Sequence, residues 1–240
     1  MTASGLNRLA TFGGILLVDA TAIVAAAAVG DPPTELFEEY RVMTYFSGAQ
    51  ILLIALLCWR IFQVRRRTSW HAGVTEPAWL WALFAAGAVF LALDEVLQVH
   101  ENLDFTIHRL LGIQETNLTD RIDDAIVGLY GVVASAALAL HRKKLRWCKP
   151  VASWAILGVL GIFGTALLDA LTNRNDVLPY LLANPAAAGW LRGRLMLLED
   201  AVKILAEGIF LGSAYVCLRI AKGAASSGEG HAAESNQHGC

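Results

Sequence analysis

Charge is what this 240-residue sequence has least of. Lys, Arg, Asp and Glu make up 17% of it, against about 25% in a typical soluble domain. A large solvated surface is therefore excluded. The 19 basic and 21 acidic residues nearly cancel, for a net charge of −2, and no global basic character points to nucleic acid. Cysteine is sparse too. Cys58, Cys148, Cys217 and Cys240 form no CxxC and no Cys/His spacing, which excludes a thiolate zinc motif. All four fall in or near the half read below as cytoplasmic, where thiols stay reduced, so no disulfide is expected.

What the chain has in excess is apolar residues: 56% are hydrophobic and the mean hydropathy is +0.50. A helix needs about 20 mostly apolar residues to cross a bilayer. Six segments qualify, at about 9–30, 43–64, 79–100, 123–141, 150–172 and 196–218. The expected fold is all-α, one six-helix transmembrane bundle over residues 1–222. A disordered cytoplasmic tail is expected over 223–240, where "GAASSGEGHAAESNQHGC" lacks apolar periodicity. The stretch "VLPYLLANPAAAGWL", residues 177–191, is apolar but broken by Pro179 and Pro185, and reads as a short re-entrant or surface segment. The first segment has the basic start and small residues of a secretory leader. Asp19 in its middle argues for a retained helix instead.

Lys and Arg in short loops set orientation. Arg65, Arg66 and Arg67 follow the second segment, Arg142 to Lys149 join the fourth to the fifth, and Arg219 and Lys222 follow the sixth. These loops share one side with Arg8. Both termini are therefore expected in the cytoplasm, with the chain multi-pass in the inner membrane and the lipid bilayer as its first partner.

The ionisable residues then collect at one depth. "LALDEVLQVHENLD" ends fifteen uncharged residues, Trp79–Leu93, and puts Asp94, Glu95, His100 and Glu101 at the outer end of the third helix. Asp120, Asp123 and Asp124 begin the fourth, Asp169 ends the fifth, and Glu199 and Asp200 begin the sixth, with Lys203 and Glu207 one and two turns deeper. Intramembrane charges are costly and face a partner or a wet cavity. At 100° per residue Asp94, Gln98, Glu101 and His108 share one stripe, provided the third helix runs on past the apolar core. Glycines and other small residues, among them Gly128, Gly131 and Gly158, mark faces where helices approach closely.

Each signal has a structural reading beside the functional one. Asp94, Glu95, His100, Glu101, His108, Asp124, Asp169, Asp200 and Glu207 could ligate Zn, Fe or Mn, for which carboxylate and imidazole suffice, or merely end spans in the headgroup region. Asp120 and Asp123 could equally cap a helix N-terminus. Lys203 is expected to pair with Glu207 or Glu199 one turn away, or to form a proton relay with Glu199, Glu207 and Asp19. Asp19 lies mid-span, at a depth unlike the outer acids.

"FLALDEVLQVHE" and "LLEDAVKILAEG" resemble segments of uncharacterised bacterial multi-pass inner-membrane proteins. The resemblance covers the third and sixth helices, implies a polytopic architecture and carries no function. Three functions stay open. One is a metal-dependent enzyme acting on a lipid-like substrate at the outer leaflet. Another is a proton- or cation-coupled transporter, and the third an assembly subunit for another membrane protein. A site confined to the outer end favours the enzyme. A polar path joining Asp19 to Glu207 favours transport.

Overall fold

The computed structural model describes residues 3–38, 40–72, 78–112, 122–141, 145–172, 178, 182 and 184–237. Its long helices are α1 (Ala3–Val29), α2 (Val42–Ala72), α3 (Trp79–Leu97), α4 (Val99–Leu111), α5 (Ile122–His141), α6 (Ala152–Thr172) and α7 (Pro185–Gln237). No strand occurs among the described residues. Among the described residues, five stretches are long and apolar enough to cross a membrane: Asn7–Val29, Glu35–Arg67, Trp79–Leu97, Arg146–Asp169 and Pro185–Ser226. The expected fourth span corresponds to α5, whose described apolar part, Gly128–His141, is shorter.

Two boundaries differ from expectation for local reasons. Helix α7 starts at Pro185 rather than near 196. Proline is preorganised for the first helical position, where no N–H bond is needed. The Asn184 side chain caps it, accepting from the Ala186 and Ala187 N–H groups at 3.0 and 3.4 Å. So the part of that apolar stretch from Pro185 onward is helix, and most of the rest lies outside the described residues. At the other end α7 continues to Gln237, through the tail whose composition reads as disordered. A helix already nucleated by a packed apolar stretch extends at little cost per residue, and the alanines there favour it.

Helices α2 and α7 pack on each other at the centre of the bundle. Helix α3 lies on the far side of α2, α6 on the far side of α7, and α1 against α7. Close approach is built from small residues. A Cβ at Gly48 of α2 would meet the Val96 side chain of α3 at 2.9 Å, and one at Gly161 of α6 would meet Ala206 of α7 at 2.9 Å. Gly158 likewise takes the Phe210 ring. Helix α5 is different. It touches α4 and α6 only lightly, and nothing lies within 4 Å of where a Cβ would stand at Gly128 or Gly131. Among the described residues, the close seam expected along that helix does not form at Gly128 or Gly131.

The core divides into two apolar clusters. One surrounds Phe12, Cys58, Ile61, Trp81, Cys148 and Cys217, toward the arginine end of α2. There Phe12 stacks on Trp154 at 4.3 Å, and the Arg65 guanidinium covers the Trp147 ring at 4.4 Å. The other gathers Ala26, Phe37, Met43 and Ile204, toward the end where α2 begins. Outward-facing Leu17, Val18 and Val24 on α1 and Leu160, Phe163 and Leu167 on α6 stay exposed. An apolar surface that broad is not one water covers.

Candidate functional site

Between the two apolar clusters lies a polar layer. On α1, Phe12, Asp19 and Ala26 are spaced by seven and so share a face; Phe12 belongs to one cluster, Ala26 to the other, and Asp19, 0% exposed, falls between. Its carboxylate Oδ1 accepts from Gln50 Nε2 of α2 at 2.5 Å. Its Oδ2 lies against Gly208 of α7, in space a Cβ there would need. One residue earlier, Glu207 accepts at Oε1 from the Ser47 hydroxyl at 2.8 Å. Ser47 and Gln50 are three apart on α2, so one turn of that helix serves both acids. Asp19 also bears electrostatically on Glu207. The mid-span acid of α1 and the deep acid of α7 thus belong to one layer.

The layer connects sideways to α3. Lys203 Nζ sits 2.7 and 2.6 Å from the two carboxylate oxygens of Glu95. This corrects the expected pairing. Lys203 does not close on Glu207 or Glu199 along its own helix. Glu207 is turned to Ser47, and Glu199 accepts from the Thr172 hydroxyl at 3.1 Å. A carboxylate facing the lysine across the gap offers two charge-assisted bonds where an (i, i+4) neighbour offers a screened one. Glu207 and Asp200 remain within electrostatic reach of the ammonium. Three polar pairs therefore stand in one layer, Glu95–Lys203 between α3 and α7, Glu207–Ser47 between α7 and α2, and Asp19–Gln50 between α1 and α2.

Next to it stands a second group. The continuous third helix expected from the stripe breaks at Gln98, which adopts the left-handed conformation at φ 51°. The break lets Asp94, 6% exposed, fold onto the new helix. Its Oδ1 accepts from the His100 backbone N–H at 2.9 Å and its Oδ2 meets His100 Nδ1 at 3.0 Å. Glu101 stands 3.8 Å from the other ring nitrogen of His100 and accepts from Gln98 Nε2 at 3.1 Å. His100 is thus bracketed, one carboxylate per nitrogen. Further along α4, His108 is buried with Nδ1 3.0 Å from the Asp104 carboxylate. Its Nε2 has no hydrogen-bond partner among the described residues. The amphipathic piece after the apolar core is real. Asp94, Gln98 and His108 face inward, while Leu103 and Leu110 of the opposite face are exposed.

Asp169 lies half-buried at the end of α6, one turn before Thr172. Thr172 ties that end to α7 through its bond to Glu199 and through its carbonyl, which accepts from Arg192 Nε at 2.8 Å. Asp200 approaches Lys203 and Glu95. Asp120 and the side chains of Asp123 and Asp124 lie outside the described residues. Among the described residues, no three His, Cys, Asp or Glu side chains gather in a way that could hold a metal ion.

Sequence reasoning passed over Ser47, Gln50, Asp104 and Gly208. Ser47 and Gln50 carried a usable signal, two polar residues three apart inside an apolar run. Asp104 is four residues before His108. Gly208 carried none beyond following Glu207.

A family profile matches residues 9–218, from the start of the first apolar stretch to Leu218, where the last one ends. The chain belongs to the family described as a domain of unknown function, DUF8692. The family region contains every residue of the polar layer and of the His100 group, and leaves out the end of α7. No curated protein and no solved structure matches the chain.

Proposed function

We propose that this chain is a polytopic inner-membrane protein that carries a proton or small cation through its polar layer, as a proton- or cation-coupled transporter. The six-span arrangement with both termini in the cytoplasm fits the basic loops. The observation that carries the transport reading is the set of three polar pairs in one layer, Glu95–Lys203, Glu207–Ser47 and Asp19–Gln50. Buried charges in a membrane bundle mark ion and proton pathways. Here they are also closed off by apolar clusters on both sides, as an exchange between two sides without a leak requires. Protons would pass between neighbouring oxygens, with Lys203 holding the excess negative charge of Glu95, Asp200 and Glu207.

The test is flux in liposomes carrying purified protein, with a pH-sensitive dye inside and imposed proton and cation gradients. Wild type moves protons or a cation; Glu207→Gln and Asp19→Asn lower the rate at least tenfold. No flux of either kind in wild type would end the transport reading. The metal-enzyme alternative keeps one support, His100 held between Asp94 and Glu101. Metal analysis of wild type against Glu101→Ala decides it, since a protein free of transition metal leaves that alternative nothing.

A further inference from the structure

We propose that Asp19, Gln50 and Glu207 form a binding site for a dehydrated monovalent cation of sodium size. The inference rests on the transport reading and names its cargo or coupling ion. Of the buried oxygens that lack a hydrogen-bond partner among the described residues, three belong to this layer: Asp19 Oδ2, Gln50 Oε1 and Glu207 Oε2. Their parent residues are 0%, 5% and 5% exposed. Buried polar atoms are satisfied in more than nine cases in ten, so three orphans in one layer call for a common cause.

They are close together. The second oxygen of each acid is already engaged, by Gln50 on Asp19 and by Ser47 on Glu207. Ser47 and Gln50 are one turn apart, and Glu207 precedes the Gly208 against which Asp19 rests. Both acids are thus held from one turn of α2, and Asp19 acts electrostatically on Glu207.

Their chemistry selects the occupant. All three are acceptors, and all are oxygen, the donor set of a hard cation rather than a thiophilic metal. Magnesium demands a near-ideal octahedron and keeps its waters, which an apolar sandwich disfavours; a larger, more readily dehydrated ion can add the Ser47 hydroxyl and the second oxygens of the two acids to the three. A single proton would turn one orphan into a donor and satisfy two of the three. A monovalent cation satisfies all three together. Among the described residues the nearby ammonium, Lys203, is engaged by both oxygens of Glu95; with one of the two remaining acids protonated, the other's charge balances one monovalent cation.

The experiment is thermal unfolding of the full chain in detergent, in chloride salts of sodium, lithium, potassium and choline at equal ionic strength, with filter binding of radioactive sodium alongside. The expected result is a saturable rise in midpoint with sodium over choline, and saturable sodium binding that Gln50→Leu and Asp19→Asn reduce at least tenfold. A midpoint indifferent to the cation, with no saturable sodium uptake, overturns the site. That salt series needs only wild-type protein and so decides even where a variant fails to fold. Proton flux independent of sodium would remove the cation site and leave the transport reading standing. Saturable sodium binding without any flux would do the reverse.

Discussion

Lys203 of α7 reaches past α2 to close on both carboxylate oxygens of Glu95 in α3, at 2.6 and 2.7 Å. Helix α2 packs on both partners' helices, so the pair ties together three helices that share no sequence neighbourhood. Removing one partner of a buried pair leaves an uncompensated charge and costs about 3–5 kcal/mol. The lysine side chain is one-third exposed, so Glu95→Gln or Lys203→Met should each cost less, about 2–3 kcal/mol. The double variant should recover at least half of that loss. Unfolding midpoints in detergent measure it. Additive losses would show that the two side chains do not act as a pair.

Alanine is normally better than glycine inside a helix by about 1 kcal/mol. At Gly208 the sign should reverse, because the added methyl would occupy the space of the Asp19 carboxylate. Gly208→Ala is expected to destabilise by about 1–3 kcal/mol, the usual cost of overpacking. Gly128→Ala, with open space around it, should stabilise or be neutral. Combining Gly208→Ala with Asp19→Ala should remove the clash, so the glycine change costs less in that background than in wild type.

Gln98 holds a left-handed backbone between α3 and α4, which costs a residue other than glycine about 1–2 kcal/mol. Gln98→Gly relieves that cost and loses a hydrogen bond to Glu101 worth about 1 kcal/mol. The two effects should nearly cancel in the midpoint. Gln98→Val loses the bond and worsens the backbone, so it should lower the midpoint clearly. Equal midpoints for the glycine and valine variants would refute the assignment of strain.

Asp94 stabilises the first turn of α4 by accepting the His100 N–H. Losing a cap of this kind costs about 1 kcal/mol. Asp94→Ala should therefore speed amide exchange over residues 99–111 by roughly tenfold, the equivalent of about 1.4 kcal/mol. Asp94→Asn retains an acceptor oxygen and should leave exchange close to wild type. Unchanged exchange in the alanine variant would show that the break at Gln98 alone positions α4.

Much of the architecture could be read from the chain. Long apolar runs announce helices whatever their neighbours, and acids inside such runs must face inward, as Asp19, Asp94 and Glu207 do. Partners were harder to read. Lys203 has Glu199 and Glu207 one turn away on its own helix, and only the placement of α3 beyond α2 reveals Glu95 as the one it meets. The break at Gln98 was hidden because glutamine is not a residue that favours left-handed backbone. The polar stripe runs through it without interruption in sequence. Ser47 and Gln50 were passed over because uncharged polar residues in an apolar run change its hydropathy little.

The position of Asp19 bears on how the protein is made. Its helix is made before α2 and α7, and an aspartate at the centre of an inserted helix costs about 2.5–3.5 kcal/mol in lipid. Gln50 offers a first hydrogen bond once α2 has followed. The surface against which Asp19 finally rests belongs to Gly208 of α7, which is made after α1 to α6. Helix α1 must therefore wait, incompletely sheltered, until α7 has been made. Nascent chains halted before α7 should be the forms most exposed to membrane quality control.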